Sequence, residues 1–142
     1  MHSGELAKMT SFSLFKNNNL VANHKSDGLI VYSATGSTAY MYSGGGPVLY
    51  PTLDVFAIMP MFSHSSSTRP LILPADDELE LKYEHNEKAK VILDGHNEFD
   101  LDSGDSLKIK NSSTRYKLIH PSDYDYFDAC RSKLYWGLPI VK

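Results

Sequence analysis

The sequence contains a single cysteine, Cys130, among its 142 residues. One copy of the chain therefore cannot form an internal disulfide bond, and no spacing of cysteine and histidine matches a zinc site. No apolar run approaches 18 residues, and residues 1–20 lack the apolar stretch of a secretory signal. These absences predict a soluble cytoplasmic protein in a reducing compartment, and they give no reason to assign metal ligands.

Positive charge is also scarce and dispersed. The chain has 14 Lys and Arg residues against 17 Asp and Glu residues, a net charge of −3. A nucleic-acid groove needs a clustered positive field, so we expect a small molecule or a protein as partner, with neither nucleic acid nor membrane involved. A chain of this length buries roughly 68–70% of its unfolded surface, which is enough for one domain spanning residues 1–142.

What the sequence has in abundance is strand-like patterning. Residues 11–15 alternate before the polar turn at residues 16–19 and predict a hairpin. Residues 29–32 form a continuous apolar run, which predicts a strand buried on both faces, while Pro60 requires an edge position or a bulge. Alternating runs between residues 71 and 109 predict a meander, and residues 122–136 can hold a short helix. The fold class is therefore mainly β, with two or three short helices.

The stretch DGLIVYSATGSTAYMYSGGGP, residues 27–47, follows a strand with hydroxyls and glycines. Residues 37–43 suit a short helix that Thr35 or Ser37 would cap and that a left-handed Gly44 would end. The first amides of a helix lack internal partners and attract anions or polar sugar edges, and Tyr40 could stack on a base. The same pattern is also typical of a structural turn in which Thr35 and Ser37 only cap, Tyr40 only packs and the glycines only turn. Spacing alone favours this structural reading and leaves the other open.

The stretch also resembles the central signature of NAD kinases, which carry Asp-Gly, then Thr-Gly-Ser-Thr-Ala-Tyr, then Gly-Gly-Pro. The similarity extends to residues 2–9, to VILDG at residues 91–95 and to the tail LIHPSDYDYFDACRSKLYWG. It covers nearly the whole chain in the family's order. The resemblance implies the β-rich, sandwich-like C-terminal domain of this family, which supplies much of the NAD site.

The resemblance also implies site residues. Thr38, Ala39 and Tyr40 would line the adenosine of NAD, and Met41, Tyr42 and Ser43 would complete the loop. Asp27 would contact NAD toward its nicotinamide half. The resemblance implies three further positions. Lys8 falls at a ligand-side position where histidine is frequent, and Lys25 matches a basic family position that would face the phosphates or a neighbouring subunit. His96 stands where glutamine is common and would contact an amide or a sugar.

The motif that carries the chemistry of this family does not occur in the sequence. NAD kinases transfer a phosphoryl group from ATP, or from polyphosphate, to the 2′-hydroxyl of the NAD adenosine ribose. Their Gly-Gly-Asp-Gly-Thr loop and the following Asn-Glu pair are missing here, so we assign no catalytic residue. A divalent metal such as Mg²⁺ would be bound mainly by the missing domain.

Three functional hypotheses remain at this stage. The first is the C-terminal NAD-binding domain of an NAD kinase, as a fragment or as one part of a split enzyme, inactive alone and assembled as a dimer or tetramer. The second is a non-catalytic nucleotide-binding or regulatory module with the same fold. The third is half of a related lipid or sugar kinase, which the TGSTAY sequence disfavours.

Overall fold

The computed structural model describes residues 2–3, 9–63, 69–85 and 87–137. Most of these residues lie in short strands joined by tight turns. One turn of 3-10 helix, Thr35–Thr38, precedes the first α-helix. The elements in chain order are β1 (His2–Ser3), β2 (Thr10–Lys16), β3 (Asn19–Ser26), β4 (Gly28–Ser33), α1 (Tyr40–Ser43), β5 (Val55–Met61), β6 (Leu71–Pro74), β7 (Leu79–Tyr83), β8 (Ala89–Leu93), β9 (Asn97–Leu101), β10 (Ser106–Ile109) and α2 (Tyr126–Leu134).

The strands form two antiparallel sheets. One has six strands in the order β6-β5-β4-β1-β8-β9, and the other has four in the order β10-β7-β2-β3. The sheets pack against each other, because one buried apolar cluster draws residues from both. Its members are Phe12, Leu14, Leu79 and Leu81 from the four-stranded sheet, Leu29, Phe56 and Ile58 from the six-stranded sheet, and Ala75. The prediction of a mainly β, sandwich-like domain with a few short helices is confirmed.

Strand β4 lies inside the six-stranded sheet and contributes to two cores. Leu29 and Val31 pack in the cluster between the sheets. Ile30 and Tyr32 point to the opposite face, where they pack with α1, β5 and the loop that follows α1. The prediction that residues 29–32 form a strand with both faces covered is thus confirmed.

The predicted meander is wrong in its connectivity. Strands β7 and β10 belong to the four-stranded sheet, whereas β6, β8 and β9 belong to the six-stranded sheet. Alternation shows which side of a strand is buried but not which strand is its neighbour, so the chain can change sheets without altering the pattern. Among the described residues of this region, only β8 and β9 form a hairpin.

Two sequence signals for local backbone geometry are borne out. Asn17 and Asn18 have φ values of 49° and 63° and connect β2 to β3, since asparagine tolerates the left-handed region. Pro60 pairs with Leu29 of β4, while β6 reaches only from Val55 to Ile58 along β5. Pro60 therefore sits at a local edge, where its missing N–H is not needed.

The three glycines after α1 fold the chain back onto β4 and β5. Gly44 has a φ of −81°, so the prediction of a left-handed Gly44 is wrong, and the left-handed residue is Gly45, with a φ of +80°. A Cβ atom added at Gly46 would lie 3.0 Å from the Met41 carbonyl oxygen and 3.1 Å from the Tyr32 hydroxyl oxygen. The glycines thus permit the close approach of chain segments that the sequence predicted.

The chain divides into two compact units, Met1–Asn111 and Ser112–Lys142. In the second unit, the Asp125 side chain accepts a hydrogen bond from the Phe127 N–H at 2.8 Å and caps α2. Helix α2 buries Cys130 and ends at Tyr135 in a left-handed conformation. The helix predicted within residues 122–136 is present, while the assignment of one domain to all 142 residues stays a prediction. Neither of the α-helices among the described residues has the length and apolar character needed to cross a bilayer.

We expect Gly46→Ala to lower the free energy of unfolding by about 1–3 kcal/mol, because the new methyl group would crowd the Met41 carbonyl and the Tyr32 hydroxyl. Urea titration followed by circular dichroism measures this change. Thr52→Ala, at an exposed turn position, is the control. Equal stability of the two variants would show that the loop relaxes without strain.

Candidate functional site

A cavity of about 660 Å³ lies along the face of β4 that is turned away from the four-stranded sheet. Strand β4 contributes its floor, and the segment around α1 borders it. The turn after β8 also reaches it. Its lining residues are Leu29, Ile30, Val31, Tyr32, Gly36, Ala39, Tyr40, Met41, Met61, Ile92, Asp94 and Gly95.

Ala39 and Tyr40 form an exposed ledge at this cavity. Ala39 presents only a methyl group, and the Tyr40 side chain is 70% exposed. Neighbouring Thr38 is also exposed, although it is not among the residues that line the cavity. A low surface beside an accessible aromatic ring is suited to a flat ring or a sugar.

Ser37, in contrast, is a structural residue. Its side chain is completely buried, and its Oγ donates a hydrogen bond to the Ala34 carbonyl at 2.7 Å. The same oxygen accepts a hydrogen bond from the Leu49 N–H at 3.0 Å. The Ser37 hydroxyl therefore fastens the loop to the chain beyond the glycines, and it does not take part in a ligand site.

The expected helix cap and anion-binding amides are not formed as predicted. The helical region is split at Ala39 into the 3-10 turn and the four-residue α1, and neither has a side-chain cap. The Ser37 and Ala39 amides donate to local carbonyls, as does the Tyr42 amide. A four-residue helix has few aligned peptide dipoles. Ligand binding at the ledge would therefore depend on the shape of the surface and on the Tyr40 ring, not on a helix terminus.

The other predicted loop residues, Met41, Tyr42 and Ser43, differ in whether they reach the cavity. The Met41 side chain is 2% exposed and packs in the core beside Tyr32. Tyr42 is half-buried and Ser43 is exposed, and neither lines the cavity. Of the six loop residues in the prediction, the structure brings Ala39, Tyr40 and part of Met41 to the cavity.

Tyr32 is a site residue that the sequence pattern did not reveal. Its hydroxyl is buried without a hydrogen-bond partner among the described residues, and burial raises its pKa. An unpartnered buried hydroxyl is unfavourable. Tyr32 lines the cavity, but its hydroxyl lies close to Gly46 beneath the loop. In the sequence it was indistinguishable from an ordinary strand residue.

Asp27 and Lys25 lie at different places. Asp27 is half-buried just before β4, and its N–H donates to the carbonyl of Met61, a residue that lines the cavity. Asp27 is thus near the end of the cavity opposite the ledge. Lys25 is exposed on β3 and borders a separate cavity of about 270 Å³ on the four-stranded sheet. The structure does not bring Lys25 to the cavity at the ledge.

His96 follows the turn between β8 and β9. Asp94 and Gly95 have φ values of 48° and 76°, and the His96 N–H donates to the Leu93 carbonyl at 3.1 Å. This is the geometry that Asp-Gly favours in hairpins. His96 is exposed, with its Nδ1 2.7 Å from the Asp94 carbonyl oxygen. Asp94 and Gly95, not His96, line the cavity.

The remaining predicted position, Lys8, lies outside the described residues. Within the described part of the chain, no group of three or more His, Cys, Asp or Glu side chains could hold a metal ion. These residues therefore do not fit a bound metal, and no chemical step is assigned to one here.

Comparisons with known proteins identify the family. The family described as ATP-NAD kinase C-terminal domain matches residues 1–121. The NAD kinase of Pseudoalteromonas translucida (strain TAC 125) is 44% identical over 139 residues, which make up 96% of this chain and 47% of that protein. The chain thus spans about half the length of the curated relatives it matches.

Two solved structures are similar in fold. The crystal structure of yeast NADH kinase complexed with NADH has a TM-score of 0.86 and 25% identity, and the match covers 99% of this chain and 44% of that one. An NAD kinase from Archaeoglobus fulgidus in complex with ATP has a TM-score of 0.71 and 30% identity, covering 79% and 43% of the two chains.

We expect Ser37→Ala to lower the free energy of unfolding by about 1–3 kcal/mol, because the buried Leu49 N–H would lose its acceptor. Thr38→Ala, at the next and exposed position, should change stability by less than about 0.5 kcal/mol. Thermal and urea unfolding of both variants measure the difference. Similar losses in the two variants would contradict the distinct roles assigned to these neighbouring hydroxyls.

Proposed function

The chain belongs to the ATP-NAD kinase C-terminal domain family, and on that premise we propose that it is the NAD-binding half of an NAD kinase. The complete enzyme would transfer a phosphoryl group from ATP to the 2′-hydroxyl of the NAD adenosine ribose. The observation that carries this proposal is the exposed ledge of Ala39 and Tyr40, which belongs to the Thr-Gly-Ser-Thr-Ala-Tyr sequence and borders a cavity of about 660 Å³.

Adenosine would rest on the ledge. The Tyr40 ring is exposed enough to stack on the base or pack against the ribose, and the Ala39 methyl group leaves space for either. Thr38 would bond a polar edge from the exposed side of the loop.

Asp27 would contact the other half of the dinucleotide. Strand β4 rises about 3.3 Å per residue, so Gly28 and Ser33 are separated by about 17 Å. The cavity follows this strand from Met61, bonded to Asp27, to Ala39. An elongated ligand with two nucleoside halves fits such a site better than a compact one does.

The phosphoryl-transfer chemistry would depend on residues outside these 142. Phosphoryl transfer requires a phosphate clamp, a group that orients or deprotonates the nucleophile, and a metal. The sequence contains no Gly-Gly-Asp-Gly-Thr loop, and the described residues offer no metal-binding group. We therefore infer that this chain alone binds NAD weakly, without turnover, and that ATP and Mg²⁺ are held mainly by another domain.

Self-association into a dimer or tetramer is a further part of the proposal. Lys25 lies exposed on the four-stranded sheet and away from the cavity at the ledge. Of the two roles predicted for Lys25, this position fits contact with a neighbouring subunit better than contact with the phosphates of a ligand bound to the same chain.

Titration calorimetry should detect weak NAD binding and no comparable ATP binding by this chain. The complementary assay measures NADP formation after addition of the part of the Pseudoalteromonas translucida NAD kinase that precedes the region aligned with this chain. We expect no NADP from either half alone and NADP from the mixture. NAD binding without NADP formation in the mixture would favour the non-catalytic nucleotide-binding module, and tighter binding of ATP than of NAD would refute the site.

Tyr40→Ala should weaken NAD binding about 5-fold to 150-fold, because loss of base–aromatic stacking corresponds to about 1–3 kcal/mol. Tyr50→Ala removes another exposed tyrosine, one that does not line the cavity, and is the matched control. Both variants should still unfold cooperatively. If Tyr40→Ala binds NAD as the unchanged chain does, the ledge is not the adenosine site.

A further inference from the structure

Two Asp-Gly pairs occur in the sequence, and the fold places them in different surroundings. Asp27–Gly28 leads into β4, and Asp94–Gly95 lies in the turn between β8 and β9. An aspartate carboxyl group can react with the amide nitrogen of the next residue, and glycine hinders this approach least because it has no Cβ atom. Backbone freedom and exposure therefore decide which of the two pairs can react.

The Asp94–Gly95 pair lies in open surroundings. Both residues are exposed, and a Cβ atom added at Gly95 would meet no described atom within 4 Å beyond its two chain neighbours. The peptide group between the two residues can therefore turn without displacing packed side chains. A local opening of this kind needs far less free energy than unfolding of the core.

The groups that would react are not held by the rest of the turn. The His96 N–H closes the turn by donating to the Leu93 carbonyl at 3.1 Å. Within the described part of the chain, the Gly95 N–H has no acceptor and the Asp94 carboxylate has no ion-pair or hydrogen-bond partner. Attack by the Gly95 nitrogen on the Asp94 carboxyl carbon thus costs neither group a bond with these residues.

One rotation brings the reacting atoms together. The φ values of Asp94 and Gly95, 48° and 76°, are both positive, as in a type I′ turn. Rotation of the central peptide group gives a type II′ turn, in which the first central residue has a ψ of about −120°. The Gly95 nitrogen then lies on the side of the Asp94 Cβ atom, which is the arrangement that a five-membered ring requires. Glycine permits either sign of φ, so Gly95 can follow the rotation.

Among the described residues, one contact resists this rotation. The His96 Nδ1 lies 2.7 Å from the Asp94 carbonyl oxygen, to which it donates when it carries a proton. Rotation turns this oxygen away and breaks the bond. Because His96 is exposed, water can replace the lost partner, and the net contribution of the bond is modest.

The Asp27–Gly28 pair, in contrast, is fixed by the sheet. Gly28 is buried and pairs with Met61 of β5. The Gly28 carbonyl accepts a hydrogen bond from the Ser26 Oγ at 2.9 Å. The Asp27 N–H donates to the Met61 carbonyl at 3.0 Å. Rotation of the Asp27–Gly28 peptide group would disturb the pairing of β4 with β5, so the fold protects this pair.

We propose that Asp94–Gly95 is a modification site, at which the aspartate converts spontaneously to isoaspartate through a succinimide. The open turn, the weakly held peptide group and the Gly95 N–H, which has no acceptor among the described residues, favour this reaction. The inference does not depend on the nucleotide function proposed above, because the reaction needs no ligand.

The reaction is an isomerisation in two steps. The Gly95 nitrogen loses its proton and attacks Cγ of the Asp94 carboxyl group in its protonated form. The new C–N bond closes the succinimide ring as a C–O bond breaks, and the proton and the hydroxyl group leave as one water molecule. Water then adds to one of the two ring carbonyls. Ring opening at the main-chain carbonyl gives isoaspartate, and opening at the side-chain carbonyl restores aspartate.

Isomerisation would change a border of the cavity at the ledge. Asp94 and Gly95 both line that cavity. Isoaspartate adds one methylene group to the main chain of the turn and leaves an α-carboxylate as its side group. The hydrogen bond between His96 and Leu93 would then have to close a longer turn. The modified residue therefore alters both the shape and the position of the charge at this border.

Prolonged incubation of the full chain at neutral pH and physiological temperature tests the proposal. Peptide mapping with mass spectrometry locates isoaspartate, and the loss of one water molecule marks the succinimide. We expect isoaspartate to form at least about tenfold faster at Asp94 than at Asp27, because opening a turn requires less free energy than opening the sheet. In guanidinium chloride, where the fold is lost, the two pairs should react at similar rates.

Two variants test the site and the route. Asp94→Glu keeps the charge but would need a six-membered ring, so the total isoaspartate detected by an isoaspartate-specific methyltransferase should fall to the background of the other sites. His96→Ala removes the contact that resists rotation and should raise the rate at Asp94 about 2-fold to 10-fold. Circular dichroism checks that both variants are folded.

Several results would each overturn the proposal. Similar rates at Asp94 and Asp27 in the folded chain would show that the fold does not select the site. Reaction at Asp94 only in guanidinium chloride would show that the native turn protects it. Undiminished isoaspartate in Asp94→Glu would place the modification elsewhere, and a rate that His96→Ala leaves unchanged or lowers would refute the rotation on which the route depends.

Discussion

The two-sided burial of strand β4 is the constraint on which the rest of the structure depends. Leu29 and Val31 hold the two sheets together, while Ile30 and Tyr32 support the segment around α1 on the opposite face. A strand that is needed on both faces cannot slip by one residue, since a slip would exchange the two sets of side chains. The position of the loop that follows β4 is fixed for the same reason.

The loop itself is held by small residues and one hydroxyl. Ser37 bonds Ala34 and the chain at Leu49, and Gly46 lies close to the Tyr32 hydroxyl. These contacts lie on the inner side of the loop. Ala39 and Tyr40 take no part in them, and both residues are exposed. Neighbouring residues of one motif thus differ in role. Ser37 holds the loop in place, whereas Ala39 and Tyr40 form the exposed ledge.

The sequence allowed prediction of the family, the β-rich class and those turns whose residues favour a particular backbone, such as Asn17 and Asn18. It did not predict which strands are neighbours, because alternation is the same in either sheet. It also assigned Ser37 to a helix cap, since the bond to Leu49 joins residues whose proximity depends on the whole fold. The Tyr32 hydroxyl, which has no hydrogen-bond partner in the described part of the chain, was missed for the same reason, because burial is a property of tertiary structure.

The cavity beside the ledge depends on two strands of the same sheet. The same cavity is lined by Ala39 and Tyr40 on one side and by Ile92 and Asp94 on the other, so it lies over both β4 and β8. A ligand bound at the ledge would therefore contact residues that both strands hold in place. By thermodynamic linkage, such a ligand would also favour the arrangement in which these strands lie together.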